Sequence, residues 1–222
     1  MIIEALLAVT FLAALVVFVA PNAYAAKLAA ALSALPILGS LWMWAAYDAS
    51  GNALLGGEIA FETDVVWLTA GGLDLHWFVG VDGISLPLVV LTTVLTTLAI
   101  VSAWTPIGER QSQFYGLVLL MEANLLGVFT ALDFFAWFVF WEAVLVPMYF
   151  LIGVWGGPNR RYAAIKFFVY TNIASLVMFI GFIALVFGLG DSVSSMRLPE
   201  IAQALRAGEL GGFAGLDAAT LK

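Results

Sequence analysis

Six long apolar stretches, at 3–20, 27–47, 85–104, 113–130, 134–155 and 163–188, constrain this chain more than any other feature in it. Each is near the roughly 20 residues that an α-helix needs to cross the hydrocarbon layer at about 1.5 Å per residue. A bilayer admits only helices or closed barrels, because every backbone polar group inside it must be bonded within the protein. Runs this long and this apolar read as helices, so the expected fold is an all-α integral membrane protein with six transmembrane helices. Pro106 and Gly108 close the third span, and Gly156, Gly157 and Pro158 close the fifth. The fourth and fifth, separated only around Asp133, form a tight helical hairpin. Ala23-Tyr24-Ala25 has the form of a signal-peptide cleavage site. Glu4, the lack of Lys or Arg before the run, and the run's length favour a retained first helix.

Charge sets the orientation. Lys27 follows span one, Arg110 follows span three, and Arg160 and Arg161 follow span five, whereas 48–82 holds six acids (Asp48, Glu58, Glu62, Asp64, Asp74, Asp82) and no Lys or Arg. The positive-inside rule puts the basic loops in the cytoplasm, giving a multi-pass chain of the cell (plasma) membrane with its N-terminus outside. Within the external loop, 65–69 and 73–77 flank Ala70-Gly71-Gly72 and read as a short β-hairpin. Leu73, Leu75 and Trp77 alternate with Asp74 and His76, so one face packs on the bundle and His76 is expected in solvent, without partners. Trp67 and Trp77 suit an interfacial belt. The resulting division is two helices in 1–47, the external loop in 48–82, a four-helix core in 83–189, and in 190–222 a polar stretch from Asp191 followed by a mildly amphipathic one over 198–205.

Composition removes several kinds of chemistry. Eight Lys and Arg against 15 Asp and Glu leave a net charge of −7, which argues against a nucleic-acid partner. With no cysteine, disulfides, iron–sulfur clusters and Cys-ligated zinc are excluded, and one histidine is poor material for a transition-metal site. No phosphate-loop spacing surrounds Gly156-Gly157-Pro158.

Two carboxyls remain where charge is costly. Glu122 and Glu142 fall near the middle of spans four and five, where a charge costs roughly 2.5–3.5 kcal/mol on insertion scales. Each reads either as a neutral acid bonding a neighbouring helix or as a proton carrier. Tyr149, seven residues beyond Glu142, shares its helix face, and Pro147 frees the carbonyl of Ala143 beside it. Lys166, flanked by Tyr162 and Tyr170 at four-residue spacing, is either a snorkelling lysine or an entry-side relay. Asp133 is first a helix N-cap. Thr92, Thr93, Thr96 and Thr97 form a packing face on span three.

The stretch FWEAVLVPMYFLIGVWGGPNRRYAAIKFFVYT (140–171) closely resembles the signature of the M-type antiporter-like subunits of respiratory complex I, the NADH–quinone oxidoreductase. GVDGISLPLVVLTT (80–93) and LLMEANLLGVFTALDFFAWFVFWE (119–142) are similar to the same family's segments, so that the likeness covers about 60–190. The resemblance implies the N-terminal part of a fourteen-helix proton-translocating subunit, with Glu142 as the translocation carboxylate and its partner lysine on a seventh helix beyond this chain. It adds weight to Lys166 and Asp133, which match commonly polar family positions. It implies L- and N-type membrane subunits as partners, the lipid bilayer as surroundings, and no cofactor in this chain; NADH, FMN, Fe–S clusters and quinone belong to partner subunits. A multi-subunit Na+/H+ antiporter or membrane-bound hydrogenase subunit shares these motifs. A non-transporting structural fragment, and an unrelated enzyme using His76 and Asp82, are the remaining alternatives.

Overall fold

The computed structural model describes residues 1–47, 59–70, 73–189, 193 and 195–207. Asp48, Glu58, the Gly71-Gly72 turn, Asp191 and 208–222 lie outside the described residues. Among the described residues six helices are each long and apolar enough to cross a membrane: α1 (Ile2–Val19), α2 (Asn22–Ala46), α3 (Ser85–Ser102), α4 (Gln111–Thr130), α5 (Phe134–Trp155) and α6 (Arg160–Leu189). The chain is a multi-pass membrane protein. A short α7 (Leu198–Ala207) follows, burying Ile201 and Ala204 as the amphipathic pattern requires.

Local chemistry explains where helices break. Ala20 is extended because it precedes Pro21, and Pro21 in turn starts α2, five residues earlier than the apolar run alone indicates. Helix α2 buries small residues (Ala25, Ala26, Ala29, Ser33, Ser40), the composition that lets membrane helices approach closely. The threonine face of α3 meets them. The Thr93 and Ser40 hydroxyls bond at 2.9 Å, Thr97 donates to the Ser33 carbonyl at 3.3 Å, and Thr92 bonds back to Leu88.

Helix α4 is the hub, packing against α1, α2, α3, α5 and the hairpin, whereas α6 leans on α5 and α7. Two glycines admit the partners' aromatic rings. A Cβ on Gly116 would lie 2.7 Å from Phe18, and one on Gly127 would lie 2.3 Å from the buried Phe140 ring. Gly127→Ala is therefore expected to lower the chain's stability by about 1–3 kcal/mol through overpacking. A thermal melt in detergent followed by circular dichroism reads this directly; an unchanged midpoint would show that the ring moves aside freely.

The hairpin is longer than its alternating core. Strands β1 (Ala60–Ala70) and β2 (Leu73–Val81) pair antiparallel, with Val65 opposite Trp77, and the register shifts at two places. At one shift Phe61 takes φ 57, a left-handed conformation costly for this residue. The second half of β2 is a continuous apolar run (Phe78, Val79, Val81), buried because the α4–α5 connection covers it. That connection is itself strand-like. Leu132 N–H donates to Phe78 O at 2.8 Å, and Leu198 N–H donates to Leu132 O at 2.8 Å, so 131–133 lies between β2 and the 195–198 segment. Trp77 packs against Phe140, with ring centroids 6.0 Å apart. Trp67 remains half exposed.

Candidate functional site

Antiparallel helices place the two intramembrane carboxyls at one level. Glu122 stands eight residues before the end of α4 and Glu142 eight residues after the start of α5, each about 12 Å from the hairpin side. Glu122 is wholly buried, and neither of its oxygens has a hydrogen-bond partner among the described residues. A carboxyl so placed must be neutralised or used.

Glu142 is different. Its Oε2 accepts a hydrogen bond from Asn172 Nδ2 on α6 at 3.0 Å, while its Oε1 is buried without a partner among the described residues. One oxygen is thus held and the other left available. Helix α5 runs on through Pro147 next to this site. Tyr149 turns to α6 and packs edge-on against Phe168, with centroids 5.6 Å apart. Lys166 is exposed near the opposite end of α6, its Nζ 5.7 Å from the Tyr162 ring centroid, and it has no ion pair among the described residues. Lys166 and Asn172 are six residues apart on one helix and therefore face different directions. The structure brings Asn172, not Lys166, to Glu142. The sequence reading assigns no role to Asn172; its signal is a lone amide inside an otherwise apolar span.

Asp133 sits at the hairpin end, fully buried, and caps α5. Its Oδ1 accepts from Phe135 N–H at 2.9 Å and Ala136 N–H at 3.2 Å, and its Oδ2 from His76 N–H at 3.4 Å. Burial raises the Asp133 carboxyl above the ordinary aspartate value, while the three N–H bonds pull it down; burial prevails.

The expectation of a solvated His76 fails here. His76 is buried, and its Nδ1 lies 2.5 Å from Asp64 Oδ1. Asp64 also accepts from Arg197 Nη1 at 3.1 Å, and Arg197 Nη2 reaches Glu200 at 3.0 Å. Alternation along β2 correctly marks Leu75 as buried, but His76 on the other face is held by Asp64 and by the Asp133 carboxyl, partners that no local pattern reveals. Asp82 does not join His76: it accepts from Ile84 and Ser85 N–H groups at the start of α3. The described residues therefore do not bring together the His76–Asp82 pair required by the unrelated-enzyme alternative.

Six packed transmembrane helices, a hairpin on one side and a carboxyl pair at one depth define an antiporter-like membrane subunit. Residues 131–216 match the family described as NADH:quinone oxidoreductase/Mrp antiporter, TM. The chain is 40% identical to the F(420)H(2) dehydrogenase subunit M of Methanosarcina mazei over 71% of this chain and 30% of that protein. It is 40% identical to an NAD(P)H-quinone oxidoreductase chain 4 of Nostoc sp. over 78% of this chain and 30% of that protein. Its fold superposes on a chain of respiratory complex I from Thermus thermophilus with a TM-score of 0.72 and 25% identity, covering 92% of this chain and 39% of that one. The chain belongs to the antiporter-like membrane subunits of this family, and it spans about 30% of the length of these curated relatives.

Proposed function

We propose that this chain is part of a proton-translocating subunit of a complex I-type NADH–quinone oxidoreductase and that Glu142 carries the proton. The observation that supports this most is the asymmetry at Glu142: Asn172 bonds Oε2, and Oε1 is buried with no partner among the described residues. A carboxyl with one bonded and one open oxygen can take a proton on the open side without losing its anchor. Glu122, at the same depth on the adjacent helix, is the next carboxyl along the level. Lys166 would serve at the entry end, Asp133 at the hairpin end, and Tyr149 along α5. In this reading the partner of Glu142 is a lysine on a further helix. A carboxylate holds such a lysine charged, and protonating the carboxylate frees the lysine to pass its own proton onward.

The chain itself binds no redox cofactor in this reading. NADH, FMN, Fe–S clusters and quinone belong to partner subunits, and L- and N-type antiporter-like subunits flank it in the plasma membrane, with the N-terminus outside. The test is to isolate the tagged full chain with its complex from native membranes, reconstitute it in liposomes, and supply NADH and quinone. Donor-driven acidification supports the reading. Cation–proton exchange without any donor, from a complex lacking redox subunits, overturns it in favour of the Mrp type that the family also contains.

Asn172→Leu in the same complex should slow proton transfer by at least about tenfold, the lower end of what a hydrogen bond to a charged group contributes. Asn172→Asp sets a second carboxyl beside the first and should do worse. Donor-driven acidification by either variant at the wild-type rate would remove Asn172 from the site.

A further inference from the structure

At the ends of the helices opposite the hairpin, the α3–α4 and α5–α6 connections flank an open cleft of about 590 Å3. Arg110, Arg160 and Arg161 line it, with Glu109 as the one acid. The Arg110 and Arg161 side chains make no hydrogen bond or ion pair among the described residues, and Arg160 uses Nη1 on the Val154 carbonyl at 2.6 Å. Glu109 lies beyond ion-pair distance of all three, although its backbone carbonyl accepts from Trp155 Nε1 at 3.2 Å, which ties the two connections together. Arg110 precedes the first residue of α4, and Arg160 and Arg161 open α6. Cations at these positions work against the helix dipole, whose N-terminal end is positive. Three exposed guanidiniums without an ion-pair partner among the described residues surround one cleft beside Trp155, a residue type that favours the membrane interface, and together they suit an anion that brings several acceptor oxygens.

We propose that this cleft is a binding site for a phosphate group, presented by an anionic phospholipid headgroup or free in solution. Guanidinium forks match phosphate oxygens in pairs, and the volume admits a headgroup. Glu109 leaves the lining with a net charge of two positive, enough to prefer an anionic headgroup over a zwitterionic one. The inference depends on the membrane placement of the chain and not on the role of Glu142.

The test uses the full chain purified in dodecyl maltoside, titrated with phosphatidylglycerol, with phosphatidylcholine of the same tails, or with inorganic phosphate. Bound lipid is counted by native mass spectrometry, and phosphate binding is read by 31P line broadening. Phosphatidylglycerol should bind about tenfold or more tightly than phosphatidylcholine, and each arginine removed should cost about fivefold. Arg160→Gln with Arg161→Gln should lose about 25-fold, and Arg110→Gln alone, which leaves α6 untouched, about fivefold. Arg206→Gln on α7, the same charge change at the hairpin end, should leave binding unchanged. Phosphate binding that disappears in the double variant identifies a site open to free phosphate, whereas lipid binding alone assigns the site to the headgroup; both support the proposal. Equal affinity for the two lipids together with no phosphate binding, or a double variant that binds either phosphate ligand as the wild type does, overturns it.

Discussion

Glu142→Gln is expected to abolish proton translocation by the assembled complex while leaving its assembly intact. Glutamine has nearly the shape of glutamate and keeps an oxygen to accept the 3.0 Å bond from Asn172, so the α5–α6 contact survives. What disappears is the titratable proton. Positioned proton transfer contributes about 100-fold to 10,000-fold to a rate, so the loss should be at least about 100-fold. The measurement is donor-driven quenching of a pH-sensitive dye in inverted vesicles, with subunit content read on native gels. Glu142→Asp retracts the carboxyl from Asn172 by one methylene and should retain part of the activity. Glu122→Gln, equally deep but without a bonded oxygen, separates a relay from a packing acid: a lowered rate assigns it to the path. Wild-type pumping by a fully assembled Glu142→Gln complex would remove Glu142 from the role proposed for it.

The six spans are legible because the bilayer imposes a length and a composition that no tertiary contact can override. Asp133 as a cap is legible for a similar reason, since an acid directly before an apolar helix satisfies backbone donors locally. The Glu142–Asn172 bond is not, because it joins positions 30 residues apart on two helices whose relative rotation no single helix encodes. Nor is the setting of His76, which is bonded by Asp64 and Asp133 while Arg197, far along the chain, closes on the same Asp64. Lys166 and Asn172 share α6 but lie six residues apart and face different directions, and the sequence pattern alone does not say which of them meets Glu142.

Asp133→Ala should be the most destabilising of the substitutions at the hairpin end. One carboxylate there accepts from three backbone N–H groups, two at the start of α5 and one on β2, and so ties the hairpin to the helix that carries Glu142. Removing it loses a cap and leaves donors unsatisfied in a buried place, for a combined cost of about 2–4 kcal/mol. Asp133→Asn keeps an oxygen for the cap but sets its NH2 against the His76 N–H that Oδ2 accepts, so it should cost about 1–2 kcal/mol, less than alanine. The two variants also differ from the wild type in pH response. Burial raises the folded-state carboxyl above its ordinary value, so the folded chain binds this proton more tightly than the unfolded one. The group therefore contributes its full stabilisation below the ordinary aspartate value, and that contribution is lost as pH rises through the raised folded-state value. Thermal melts of the full chain in detergent, taken over a pH series, should show this decline in the wild type and its absence in Asp133→Asn. An Asp133→Ala chain that melts where the wild type does would mean that the three N–H groups find other acceptors and that the hairpin is held by its apolar face alone.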